Sequence, residues 1–105
     1  MTNQGATVTV LYPRDEHTFD INYYNSTHMP LVSKHWNKFG LKSWTVTKFN
    51  DDAPYTYAAA MEWESTEALQ KAFGDETAKE IMADVANFTK SQPTIISGSI
   101  VCRSS

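Results

Sequence analysis

With 105 residues the chain forms a single domain, 1–105, large enough to hide about 65% of its unfolded surface without disulfide staples. Twelve acids against nine bases give a formal charge of −3, and the basic residues stand singly, which excludes the basic footprint of a nucleic-acid partner. A lone cysteine, Cys102, excludes an intrachain disulfide and points to a reducing, cytoplasmic setting; no apolar run nears the ~20 residues of a membrane helix, and the polar start Met1–Gly5 has no signal-peptide pattern.

Residues 6–12 alternate, with Val8, Val10 and Tyr12 on one face, and predict a strand ended by Pro13-Arg14-Asp15. His17 falls in the following loop, where solvent exposure is its default. A helix is expected from Thr18, as its cap, to Phe39, with Gly40 as its stop. Pro30 interrupts it, because it offers no N–H to the Ser26 carbonyl and its ring crowds that carbonyl; a kink or restart near His28 follows. Residues 41–49 and 55–63 read as strands joined by the turn Asn50-Asp51-Asp52-Ala53-Pro54, a hairpin. Tyr55, Tyr57, Ala59, Met61 and Trp63 share a face of the second of these strands. Ser65 or Thr66 caps a helix through Phe73, and Gly74-Asp75 separates it from another with Ala78, Ile81, Met82 and Val85 at helical spacing. After a loop over 87–93, residues 94–102 read as the last strand, with Ile96, Ile100 and Cys102 alternating with Ser97, Ser99 and Val101. Cys102 is expected to be a buried small hydrophobe.

The order β-α-β-β-α-β predicts an α+β fold of the ferredoxin-like kind, a four-stranded antiparallel sheet with helices on one face. The other face would carry Thr7, Thr9, Ser43, Thr45, Thr47, Ser97 and Ser99 among apolar residues. That mixture suits neither free solvent nor a dry core, and a second copy covering it, in a homodimer, resolves the conflict.

Chemistry concentrates in the first helix, where Asp20, Tyr24 and His28 fall on one stripe at four-residue steps. An imidazole with an ordinary pKa near ~6.5 serves as base or acid at neutral pH, given an orienting partner. Each residue also has a structural reading: Asp20 as a first-turn carboxylate on the helix dipole, Tyr23 and Tyr24 as core rings with wet hydroxyls, His28 as a satisfied core histidine. Trp44, Tyr57, Trp63 and Phe88 could line an aromatic pocket or simply pack the core. No metal is expected: His28 and His35 lie about 10.5 Å apart along a helix, and no ligand-spaced cluster is present. Four glycines and no phosphate loop argue against a nucleotide cofactor, and a nucleophile elbow is missing.

The segment Phe19-Asp20-x-x-Tyr23-Tyr24-x-x-x-His28-Met29-Pro30-Leu31-Val32 resembles the first-helix signature of EthD-like proteins. The resemblance extends to Met61-Glu62-Trp63-Glu64-Ser65 and to 82–89, similar to the family's Asp-Val-x-Asn-Phe segment, with Ala86 where proline is common. It implies a dimeric α+β barrel that takes a hydrophobic small molecule between helices and sheet near His28 and Asp84. Relatives act on aromatic polyketides as dehydratases, decarboxylases, cyclases or cofactor-free monooxygenases, and wider relatives bind haem. The leading expectation is a cofactor-free lyase of secondary metabolism, a dehydratase or decarboxylase acting on an aromatic or polyketide-like substrate. His28 is its general base, Asp84 orients it, and Tyr24 or Tyr23 donates to a developing enolate oxygen; Tyr23, Tyr57, Trp63 and Phe88 would contact the substrate. A non-catalytic small-molecule binding protein and a haem-binding barrel with His28 as axial ligand stand as alternatives.

Overall fold

The computed structural model describes residues 5–15 and 18–104; the start Met1–Gln4 and the expected loop histidine His17 lie outside them. Strand β1 (Ala6–Pro13) sits inside a four-stranded antiparallel sheet ordered β2-β3-β1-β4, where β2 is Leu41–Lys48, β3 is Tyr55–Trp63 and β4 is Thr94–Ser99. This is the ferredoxin-like order that the alternation of elements predicted. Val8 pairs with Met61 and Val10 with Ala59, so the apolar alternation of β1 and β3 falls on one face, the face the helices cover. The turn between β2 and β3 closes through Ala53 N–H on the Asn50 carbonyl at 3.0 Å. Arg14, at the end of β1, donates to the carbonyls of Asn50 and Ala53, both at 2.8 Å, and fastens that turn to the central strand.

The first helical segment opens at Ile21, not at Thr18. Asp20 is its cap, accepting the Tyr23 N–H at 3.0 Å, so this carboxylate fulfils its structural reading. One α-turn, α1 (Ile21–Tyr23), runs into a π-turn over Tyr24–His28, whose closing N–H, that of Met29, bonds the Tyr24 carbonyl five residues back. Helix α2 (Met29–Trp36) restarts with Pro30 in its first turn, where a missing N–H costs nothing. The interruption expected at Pro30 is therefore realised as a π-turn and a fresh α-helix. A short 3₁₀ turn, Asn37–Phe39, leads to Gly40 at φ 111°, which ends the segment as expected.

Ser65 caps α3 (Thr66–Gly74) by accepting the Ala68 N–H at 3.0 Å, and α4 (Thr77–Asp84) follows. The core between helices and sheet holds Trp36, Trp63, Tyr24, Met29 and Val8 with under 2% or about 2% of their surface exposed. His35 Nε2 of α2 lies against a carboxylate oxygen of Glu80 on α4, a neighbour its sequence position did not reveal.

The last strand departs from expectation. It ends at Ser99, and Cys102 is exposed rather than buried. Ser97 pairs with Val8 and Ser99 with Ala6, which puts both serines on the helix-side face, while Ile96 pairs with Thr9 on the outer face. The reason is that Ile95-Ile96 offers one isoleucine to each face, so alternation fits either register. The outer face carries Thr7, Thr9, Ser43, Thr45, Ala60 and Glu62 along a shallow groove, and among the described residues no helix covers it.

Candidate active site

Two contacts bring the first helix to the far end of the chain. Phe19 bridges to Thr89, and the Asp20 N–H donates to the Phe88 carbonyl at 2.8 Å. They hold the π-turn beside the end of α4 and the 3₁₀ turn Val85–Asn87 that follows it. As a result His28 Nδ1 lies 2.9 Å from Asp84 Oδ2. Asp84 Oδ1 accepts from the Tyr23 hydroxyl at 2.6 Å and from Asn87 Nδ2 at 2.9 Å.

Burial pushes Asp84 up, but the bonds donated by Tyr23, Asn87 and His28 outweigh it and hold this carboxyl below the ordinary carboxylate range, hence ionised. The Tyr23 phenol is raised, chiefly because it donates to that carboxylate. An ionised Asp84 requires a proton on His28 Nδ1, which fixes the tautomer and leaves Nε2 with a lone pair. Burial lowers the His28 pKa, and the opposing pull of Asp84 does not restore it, so the ring is neutral at pH 7. Tyr24 stacks on the imidazole, centroids 5.2 Å apart and planes at 21°, and Phe88 meets it edge-on at 4.7 Å.

His28 and Tyr24 are walls of an apolar cavity between helices and sheet, together with Tyr12, Met29, Trp36 and Met61. The space open to the centre of a water-sized molecule is about 40 Å³, within about 440 Å³ of non-atom space that includes the cavity's mouth. Met82 and Ile95, which also line it, are 43% and 39% exposed and form that mouth. The hydroxyls of Tyr12 and Tyr24 lie within hydrogen-bonding reach of each other; burial raises both phenols, Tyr12 to about 12, so both stay protonated donors.

The residues singled out in the sequence are thus divided. His28, Asp84, Tyr23 and Tyr24 come together, with His28 and Tyr24 at the cavity and Asp84 and Tyr23 behind the imidazole. Phe88 packs under the ring without lining the cavity. Trp63 is fully buried against Trp36, their ring centroids 5.5 Å apart. Tyr57 stacks on Phe19 at 4.6 Å and lines, with Trp44 and Lys48, a separate open groove. The four aromatics Trp44, Tyr57, Trp63 and Phe88 therefore form no common pocket. Sequence reasoning missed Tyr12, although its place on the inner face of β1 was legible, and Asn87, three residues after Asp84. Among the described residues no three His, Cys, Asp or Glu side chains converge as a metal site, and no helix is long and apolar enough to cross a membrane.

No curated protein sequence matches the chain. Among solved structures, it is similar to an EthD-like protein from Ralstonia eutropha JMP134, at 28% identity over 98% of both chains with a TM-score of 0.83. A dimeric ferredoxin-like protein from Jannaschia sp. CCS1 shares the fold at 12% identity and TM-score 0.66, over 91% of this chain and 99% of that one. SnoaB, a cofactor-independent oxygenase from Streptomyces nogalater, shares it at 10% identity and TM-score 0.61, over 98% of each. The EthD domain model matches residues 14–92, the span that contains the π-turn, His28, Asp84 and Asn87. The chain belongs to the EthD family.

Proposed function

We propose that this protein is a cofactor-free acid/base enzyme, a lyase acting on a hydrophobic aromatic or polyketide-like molecule that carries a carbonyl. The observation that carries this reading is a neutral histidine, oriented by an ionised carboxylate, in the wall of an apolar cavity. In a dehydration, Nε2 of His28 takes the proton from the carbon beside the carbonyl, and the C–H electron pair moves into an enolate. Tyr24 donates to the enolate oxygen; Tyr23 does not, because its proton is held by Asp84. The β-hydroxyl then leaves with the proton returned from Nε2, as water. Asp84 stabilises the imidazolium between these steps. The fold shared with a cofactor-independent oxygenase supports small-molecule chemistry without a bound cofactor.

The working unit in this reading is a cytosolic homodimer, the second copy covering the outer sheet face. Support comes from the uncovered Thr7, Thr9 and Thr45 face and from the dimeric ferredoxin-like protein of similar fold.

The test is turnover of an aromatic β-hydroxy ketone, followed by the absorbance of the enone formed. His28→Ala should lower the rate about 10²- to 10⁴-fold while leaving the dissociation constant largely unchanged. Parent protein that binds the ketone without converting it would instead establish a binding protein. Near-full turnover by His28→Ala would remove the histidine from the chemistry.

A further inference from the structure

The mechanism uses one oxygen of Asp84 and leaves the other to two neighbours. Oδ2 faces His28 Nδ1 at 2.9 Å, while Oδ1 accepts from the Tyr23 hydroxyl at 2.6 Å and from Asn87 Nδ2 at 2.9 Å. Asn87 Nδ2 also donates to the Tyr23 hydroxyl oxygen, 3.3 Å away. A carboxylate oxygen only accepts, so the phenol gives its proton to Asp84 and its own oxygen is left to receive the second Asn87 N–H. The three side chains close a ring of hydrogen bonds around Oδ1.

Regular helix geometry does not bring Tyr23 and His28 to one carboxylate. Five residues along an α-helix turn through about 500°, which leaves two side chains about 140° apart. The π-turn Tyr24–His28 covers that interval, and its wider coil takes up most of the difference. Asn87 joins from the 3₁₀ turn that follows α4, three residues after Asp84. Two local departures from the α-helix thus meet at one side chain.

Among the described residues no lysine, arginine or second acid forms an ion pair with Asp84 or His28. The other titratable groups at the pair are the phenols of Tyr24, stacked on the imidazole, and of Tyr12, whose ring meets that of Tyr24. Burial raises both, so both stay protonated through the neutral range. The charge that His28 meets is that of Asp84, and the donors on Oδ1 decide how much of it is shared away.

We infer that Tyr23 and Asn87 are positioning residues that act on His28 through Asp84: they turn Oδ2 to the imidazole and draw charge from the carboxylate, so that the protonated ring is held less tightly. The consequence for rate rests on His28 being the base, as proposed above; the consequence for the imidazole does not. Either donor alone keeps the carboxylate turned, so loss of one preserves the orientation and returns charge to Oδ2. The proton then stays on His28 to a higher pH, opposite to the change expected when the Asp84 charge itself is removed. A tie that only joined α1 to the end of α4 would alter stability and leave this balance alone.

The test is an NMR titration of ¹⁵N-labelled imidazoles. The chain has three histidines, and the His28 signals are those that vanish in His28→Gln. Tyr23→Phe, which removes only the hydroxyl, should raise the His28 titration midpoint by about half a pH unit or more and keep the proton of the neutral ring on Nδ1. Asn87→Ala should move the midpoint the same way by less, because Asn87 is exposed and water replaces its amide. The inflection in kcat/KM should follow the titration. A midpoint that stays put or falls in Tyr23→Phe overturns the inference. Should Tyr23→Phe not fold, Asn87→Ala decides on the same criterion. A raised midpoint in a protein that turns over no substrate upholds the positioning while refuting the catalytic reading.

Discussion

His28 is defined by what surrounds it more than by its own chemistry. Its folded-state pKa lies below the ordinary 6.5, with burial the larger cause and Asp84 opposing it. The neutral ring is therefore the form the fold favours. The associated stability is complete above about pH 6.5 and declines as pH falls through the folded value. Asp84, also lowered, adds a contribution that is complete above 3.8 and lost as pH falls through its own folded value. Thermal unfolding should thus lose midpoint from about pH 6.5 downward, and less steeply in His28→Gln. The rate should show the same group: kcat/KM rises with pH to a plateau, with an inflection below 6.5. Asp84→Asn removes the charge that raises the imidazole pKa, so the inflection should move further down and the plateau fall about tenfold or more. An inflection that moves up in this variant would contradict the assigned pairing. At this scale the sequence was half legible. The helix stripe named His28 and Tyr24, but helical geometry could not reach Asp84, which entered through family resemblance. Asp20, on the same stripe, went to capping because the helix begins one residue after it.

Elements were read well wherever a single residue carried a local physical demand. Gly40 ended the first helical segment, Ser65 began α3, and the acidic turn made the hairpin. Gly40 shows why such signals are reliable: at φ 111° any side chain is strained, and a Cβ there would stand 3.0 Å from the Ala68 Cβ. Gly40→Ala should cost about 1–3 kcal/mol in unfolding free energy, measured by urea titration, whereas Gly74→Ala, where a Cβ meets nothing, should cost little. Equal effects at the two glycines would deny the strain. Elements were misread where the pattern was degenerate. Ile95-Ile96 supports either register of β4, and threonine at 18 and aspartate at 20 are both good caps, so only the Phe19–Thr89 bridge decides where the helix starts.

For the whole molecule, the strand order was recoverable because alternation of elements leaves few topologies, and this one closes with neighbouring strands paired. The cavity was not recoverable. Its walls come from the π-turn, from α2, α3 and α4, and from three strands, β1, β3 and β4, and large aromatics such as Trp63 pack as core while the smaller Ala59 opens space. The outer face yields a prediction at this scale. Thr45, exposed on the edge strand β2 and opposite Ala60, would lie within a sheet-to-sheet dimer, so Thr45→Lys should shift sedimentation toward monomer at micromolar concentration. A parent protein already monomeric there would remove the dimer from the proposal.

The tie between Asp20 and Phe88 has a kinetic meaning. His28 and Asp84 are 56 residues apart, and neither helix brings them together alone. Closing so long a loop is entropically costly and belongs with the cooperative closure of the sheet, whose β1–β4 pairing spans still more chain. The His28–Asp84 pair is thus expected to form late, and no N-terminal fragment that stops short of Asp84 can assemble it. In urea, turnover and tryptophan fluorescence should vanish in one transition; activity lost well before fluorescence would mean that the site frays independently of the fold.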